Sequence, residues 1–217
     1  MNAELVRHKV TEVDGLVRHE VVYGSDGMRI YGMAVVPAEP GPWPVLLFNH
    51  GGFSGIGDRE RLDDMVRSGA AVFASEYRGE GKSQGEIECC AGEVDDVVRF
   101  AEVAESIDNV DTSAIVSIGF SHGACISLFL RDQLPALRGT VTMGTPAEIA
   151  VHIQWHRDKG NDAFADRWAS YVGDDVLVSE DPAAAGGVVL GIYQDVEHAP
   201  NTTVWDSALE QAHSWLR

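Results

Sequence analysis

The residues with the clearest chemical potential lie in SIGFSHGACISLFL, residues 117–130. Gly119-Phe120-Ser121-His122-Gly123 fits the pattern G-x-S-x-G, with an apolar run before it and a helix-like run after it. A serine on a sharp strand-to-helix turn needs small neighbours, because side chains at the flanking positions would collide. The turn presents the hydroxyl at the carboxyl edge of a sheet, where it can attack an acyl carbonyl. Such a nucleophile also needs a base, an acid to orient that base, and donors for the oxyanion. The N-terminal N–H groups of the following helix favour the developing negative charge. The competing reading of the same five residues is a glycine-rich loop that only packs closely.

A second glycine-rich segment, FNHGGFSG, ends the apolar run VLLFNH. His50-Gly51-Gly52 at a strand end lets backbone approach a substrate oxygen. One N–H from this loop, of Gly52 or Phe53, together with the N–H of His122, would make a two-donor oxyanion hole. His50 is expected to brace the loop rather than act as the base.

These loops need a scaffold. LVRHEVVYGSDGMRIYGMAVVP alternates on both sides of the Gly24–Gly27 turn and reads as a β-hairpin. PAEPGPWP connects it to the buried strand VLLFNH. DRERLDDMVRSG reads as a helix with Leu62, Met65 and Val66 on one face, and AAVFASEY as a strand. GEVDDVVRFAEVAES has helical spacing, AIVSIGF is a strand, HGACISLFLRDQL a helix and GTVTMGT a strand. This alternation from residue 44 to about 145 predicts a mainly parallel sheet with helices on both faces. Residues 146–186 have a weak helical period and read as a small cap or an irregular segment. GVVLGIYQDVEHAPN reads as strand and loop, and TVWDSALEQAHSWLR as an amphipathic helix with Trp205, Leu209, Ala212 and Leu216 inward. Without repeats or a long linker, residues 1–217 are expected to form a single α/β domain.

Composition narrows the function. A net charge of −18 without a Lys/Arg cluster argues against nucleic acid and anionic membranes as partners. No apolar stretch is long enough for a membrane span, and the N-terminal segment has no secretory h-region. Cys89, Cys90 and Cys125 are odd in number and two are adjacent, so no disulfide framework is expected, and their spacing does not suit zinc. A reducing cytoplasm is the expected location.

FNHGGFSG, EYRGEGKSQGE, AGEVDDVVRFAE…VDTSAIVSIGFSHGA and GIYQDVEHAPN occur in an order that resembles α/β-hydrolases of the prolyl-oligopeptidase and dienelactone-hydrolase-like group. The resemblance spans residues 46–201 and implies the α/β-hydrolase fold. It also implies a structural role for the 77–85 loop, so Arg78 and Lys82 carry no chemistry there, and Asp95 and Asp96 are structural helix-start residues. It implies the chain order Ser, acid, His. The base then falls in the loop before the last helix, at His198. His8 and His19 lie in the N-terminal segment, His122 should point away along the turn, His152 and His156 are in the weakly periodic region, and His213 is on the outer part of the last helix.

The group's acid signal is G-x-x-D-x-x-V-P, and here the nearest match is SYVGDDVLVSEDP. Asp175 keeps D-x-x-V, while Ser179 replaces the proline. Asp174, Glu180 and Asp181 are alternatives, as is Glu148 after the preceding strand. The segment between Asp175 and His198 is short for a full crossover helix, so the fold is expected to be truncated near the acid-bearing strand.

The expected activity is hydrolysis of a small carboxylic ester by Ser121, His198 and Asp175, with no metal or organic cofactor. About 43 residues precede the first buried parallel strand, room for a hairpin and not for a propeller, which favours an esterase over a peptidase. Dienelactone hydrolases proper use a cysteine nucleophile, so lactone specificity is not implied. Trp155, Phe164 and Trp168 could line a cap over an apolar acyl group. A thioesterase, an acyltransferase, a peptidase and a catalytically impaired binding protein are the alternatives.

Overall fold

A computed structural model describes residues 5–57, 59–67, 69–145, 149–172 and 202–216. Three antiparallel strands come first: β1 (Leu5–Val13), β2 (Leu16–Ser25) and β3 (Met28–Pro37). Both connections are two-residue turns. Asp26-Gly27 joins β2 to β3 with both φ angles positive, as the sequence predicts for this hairpin. Asp14-Gly15 does the same between β1 and β2. Positive φ at both central positions matches the right-handed twist of the strands, and Asp-Gly tolerates it. The β1 strand is an addition to the sequence reading; its Asp-Gly turn is the signal that could have revealed it.

The wound part follows. β4 (Trp43–Asn49), α1 (Glu60–Val66), β5 (Ala71–Ser75), α2 (Gly92–Ala104), β6 (Val110–Phe120), α3 (His122–Phe129) and β7 (Leu137–Met143) alternate. The sheet order is β1-β2-β3-β5-β4-β6-β7. β4 pairs in parallel with β5 and β6, and β6 in parallel with β7, while β3 joins β5 antiparallel. β4, β5 and the second half of β6 are buried and mainly apolar on both faces, as central strands covered on both sides require. On one face Val94, Val97 and Phe100 of α2 and Ile126 of α3 pack against Val45, Leu47 and Ile115. On the other, Leu62 and Met65 of α1 pack with Ala208 and Ala212 of α6 (Thr202–Leu216) over Leu46, Val116 and Ile118. Trp205, Leu209 and Leu216 join that cluster, so the predicted inner stripe of the last helix is correct. α4 (Ile149–Asp158) and α5 (Asp162–Val172) pack on each other within the weakly periodic region, linked by an Arg157–Asp166 ion pair of 2.7 Å.

Register places the candidate site. Leu47 lies opposite Phe73, and Asn49 opposite Gly119. The loops leaving β4, β5 and β6 therefore emerge side by side at the carboxyl edge, where open α/β sheets bind ligands.

Candidate active site

Ser121 sits between β6 and α3 with φ 52° and ψ −116°, a conformation costly for any residue with a side chain. Its N–H donates to the Met143 carbonyl at 2.9 Å, and its carbonyl accepts from the Ala124 N–H at 3.0 Å. The turn is thus held from β7 and from the helix it starts. The flanking glycines are required by packing. A Cβ on Gly119 would run into the Gly123 carbonyl oxygen and Ser127 Oγ, and one on Gly123 into the backbone of Asn49 and His50. Gly51 is held as closely: a Cβ there would lie 2.8 Å from the Phe120 carbonyl oxygen and 3.1 Å from Ser121 Cβ. The glycine loop after β4 therefore rests directly on the serine turn, and Gly52 follows with φ 80°.

A buried polar knot beneath the turn was not read from sequence. Asn49 Nδ2 donates to Ser117 Oγ at 3.0 Å and to Ser127 Oγ at 2.7 Å, and Ser117 Oγ donates to Ser127 Oγ at 2.9 Å. These bonds tie the end of β4 to β6 and α3. The signal was a serine in the otherwise apolar core of β6.

The His122 ring is buried among the loops of the carboxyl edge, in a closed environment. Its ring packs against Phe53 (centroids 5.0 Å), Tyr77 (5.7 Å) and Trp168 of α5 (6.2 Å), and Phe53 meets Trp168 edge-on at 5.3 Å. Nδ1–H donates to the Gly52 carbonyl at 3.3 Å. Burial, with His50 nearby, lowers its pKa to about 3, so the ring is neutral at pH 7. His50 is buried too, stacks on Tyr77 at 4.3 Å and has its pKa lowered to about 4 by desolvation. Its bracing role matches the sequence reading.

Around His122 lies an acidic cluster that sequence did not foretell. Glu80 Oε2 accepts the Gly55 N–H at 2.7 Å, and its Oε1 lies 3.7 Å from His122 Nδ1. Glu93 Oε1 is 4.0 Å from His122 Nε2 and accepts the N–H groups of Glu88 and Cys89; Glu93 Oε2 accepts that of Ala91. Desolvation raises the Glu80 pKa to about 8, reinforced by Glu93 and Glu76. Glu93 is also raised, by burial, against the lowering effect of the Glu88 and Cys89 N–H groups it accepts.

Two residues earlier in the same loop, Arg78 reaches the opposite way. It grips Asp96 with Nε (3.1 Å) and Nη2 (2.9 Å), and it contacts Asp26 at 2.8 Å and Glu88 at 3.0 Å. Asp96 also accepts the Arg78 N–H at 2.7 Å. Lys82 lies 4.4 Å over the Tyr31 ring. Arg78 thus ties its loop to α2, and Lys82 is held over an aromatic ring.

The cysteines depart from expectation. Cys90 and Cys125 form a disulfide with Cα atoms 6.0 Å apart, because the loop before α2 packs against the first turns of α3. Cys89 is a buried free thiol whose pKa is pushed up to about 12 by desolvation, which leaves it a poor nucleophile. No metal-binding cluster occurs among the described residues, and none of their helices is long and apolar enough to cross a membrane.

Of the sequence-derived site, Ser121, His122, Gly52 and Phe53 come together. His198, Asp175, Asp174, Glu180, Asp181 and Glu148 lie outside the described residues. Of the aromatic residues considered for a cap, Trp168 is buried against Phe53 and His122, whereas Trp155 is exposed beside His156.

Comparison with known proteins agrees with this architecture. Residues 44–176 match the sequence model of the alpha/beta hydrolase fold. A Bacillus subtilis (strain 168) protein named "Uncharacterized peptidase YtmA" is 28% identical over 165 residues, covering 63% of this chain and 64% of that protein. "Uncharacterized protein YnbC" of Escherichia coli (strain K12) is 28% identical over 149 residues, with 63% of this chain but 26% of that protein covered. The chain thus spans under two thirds of the length of either relative. An acetyl xylan esterase from Paenibacillus sp. R4 superposes with a TM-score of 0.72 over 98% of this chain and 89% of its own, at 17% identity. Acetyl xylan esterase 1 from Thermoanaerobacterium sp. JW/SL YS485 gives 0.59 over 78% and 60%, at 22% identity.

Proposed function

The chain belongs to the alpha/beta hydrolase fold family, and we propose that it is a serine hydrolase that cleaves a small carboxylic ester through an acyl-enzyme. The observation that carries this reading is the strained Ser121 turn, with the Gly51-Gly52 loop packed directly against it. A non-glycine residue at positive φ persists only where its surroundings over-determine it, and such strain clusters at functional sites.

Ser121 Oγ attacks the ester carbonyl while His198 takes its proton. The carbonyl oxygen becomes an oxyanion held by the N–H of His122 and one N–H of Gly52 or Phe53. His198 returns the proton to the departing alcohol. Water, activated by the same imidazole, then releases the acid. Asp175 orients His198 in this scheme. The Phe53–His122–Trp168 wall supports α4 and α5 as a small cap beside the nucleophile, suited to a short or apolar acyl group.

The test is turnover of a short-chain nitrophenyl ester, with a matched thioester and peptide as alternative substrates. Native chain should favour the ester, and Ser121→Ala should lose at least about 10³-fold in kcat. Preference for the peptide would move the assignment toward peptidase chemistry. Equal rates for native and variant chains would sink the nucleophile assignment.

A further inference from the structure

Glu80 reaches both sides of the proposed oxyanion hole. One carboxyl oxygen accepts the Gly55 N–H at 2.7 Å and so holds the 51–57 loop. The other faces the ring of His122 at 3.7 Å, and that ring in turn donates to the Gly52 carbonyl. His122 and the Gly52–Phe53 segment supply the candidate oxyanion donors. We propose that Glu80 is a positioning residue that holds the 51–57 loop beside the His122 ring and so fixes the two oxyanion donors relative to each other. This rests on the serine-hydrolase reading and deepens it.

The surroundings support the neutral form of Glu80. Glu80 is buried, and no Lys or Arg forms an ion pair with it among the described residues. The titratable groups facing it are Glu76 and Tyr77 after β5, Cys89 before α2, Glu93 in the first turn of α2, and His122 at the start of α3, with His50 behind His122. Tyr77 and Cys89 are raised by burial and stay protonated at neutral pH. His122 is neutral, so it brings no positive charge to hold a carboxylate. Oε1 of Glu80 and Nε2 of His122 have no hydrogen-bond partner among the described residues. A second negative charge beside Glu93 would repel it, and the cost would fall on the loop held through Gly55. Burial places the Glu80 transition at about 8. The carboxyl group is therefore mostly protonated at pH 7, and ionisation above pH 8 should loosen the hole.

The experiment is the pH–rate profile of ester hydrolysis for the native chain, Glu80→Gln and Glu80→Ala, alongside fluorophosphonate labelling of Ser121. The native kcat should fall on the alkaline side with a midpoint near 8. Glu80→Gln, an uncharged isostere, should hold its neutral-pH kcat within about threefold and move the alkaline fall up by about one pH unit or more. Glu80→Ala should lower kcat about 10- to 100-fold, with KM within about twofold. An unshifted alkaline midpoint in Glu80→Gln overturns the proposal even if Glu80→Ala fails to fold. A native chain that neither labels nor turns over would overturn the serine-hydrolase reading on which it rests.

Discussion

Arg78 and Glu80 leave the same loop two residues apart, and both side chains are buried. Arg78 meets Asp96 in a fork of two hydrogen bonds and finds two further carboxylates at its rim. Glu80 meets a backbone N–H, a neutral histidine and a second carboxylate. Burial is alike and compensation is opposite. A charge that is paired and fully hydrogen-bonded can remain charged inside a protein, whereas an unpaired one shifts its pKa and neutralises. The Arg78 side locks the loop onto α2. The Glu80 side, beside His122, can still titrate.

The sharpest way to break this comparison is to remove the cation. Arg78→Met strands Asp96 inside the fold, and breaking a buried pair costs about 3–5 kcal/mol. Denaturant unfolding should show that loss, with m unchanged. A loss below about 1 kcal/mol would mean that Asp96 is satisfied without Arg78. On the other side of the loop, removing charge should help. Burial raises the Glu80 pKa from 4.5 to about 8. Its favourable protonated state is therefore whole below pH 4.5, and the associated stability is lost as pH rises through 8. Glu80→Gln should raise the thermal midpoint at pH 8.5 by about 2–4 °C and change it little at pH 5. Equal shifts at both pH values would remove ionisation from the explanation. The smallest effect belongs to the rim: Asp26 is half-exposed, and Asp26→Asn should cost less than about 1 kcal/mol in the same unfolding assay.

The two buried histidines give the comparison an acid limb. His50 and His122 are depressed to about 4 and about 3. The stability that comes from keeping them neutral is present above 6.5 and is lost as pH falls through those values.

Sequence revealed the site where chemistry and local geometry coincide. The G-x-S-x-G turn, the Gly51-Gly52 loop and the strand–helix alternation follow from steric rules that act over a few residues, and each occupies its expected place. The inner stripe of α6 follows from helical period alone. What was missed depends on distant segments meeting. Glu80 and Glu93 are two of 34 acidic residues, and nothing in their neighbours marks them as buried. Their burial appears only when the 76–90 loop meets the start of α3. The Asn49–Ser117–Ser127 knot joins three elements, and the Cys90–Cys125 disulfide spans 35 residues. The adjacent pair Cys89-Cys90 pointed away from that pairing. β1 could have been read from Asp14-Gly15, a turn identical in type to the one that was recognised.

The central claim is that Ser121 is a nucleophile rather than a residue in a tight turn. Fluorophosphonate treatment followed by peptide mapping tests it most directly. The account predicts one adduct, on Ser121, absent from Ser121→Ala and from chain unfolded before treatment. A native chain that remains unlabelled, or that labels equally well after Ser121→Ala, would contradict it.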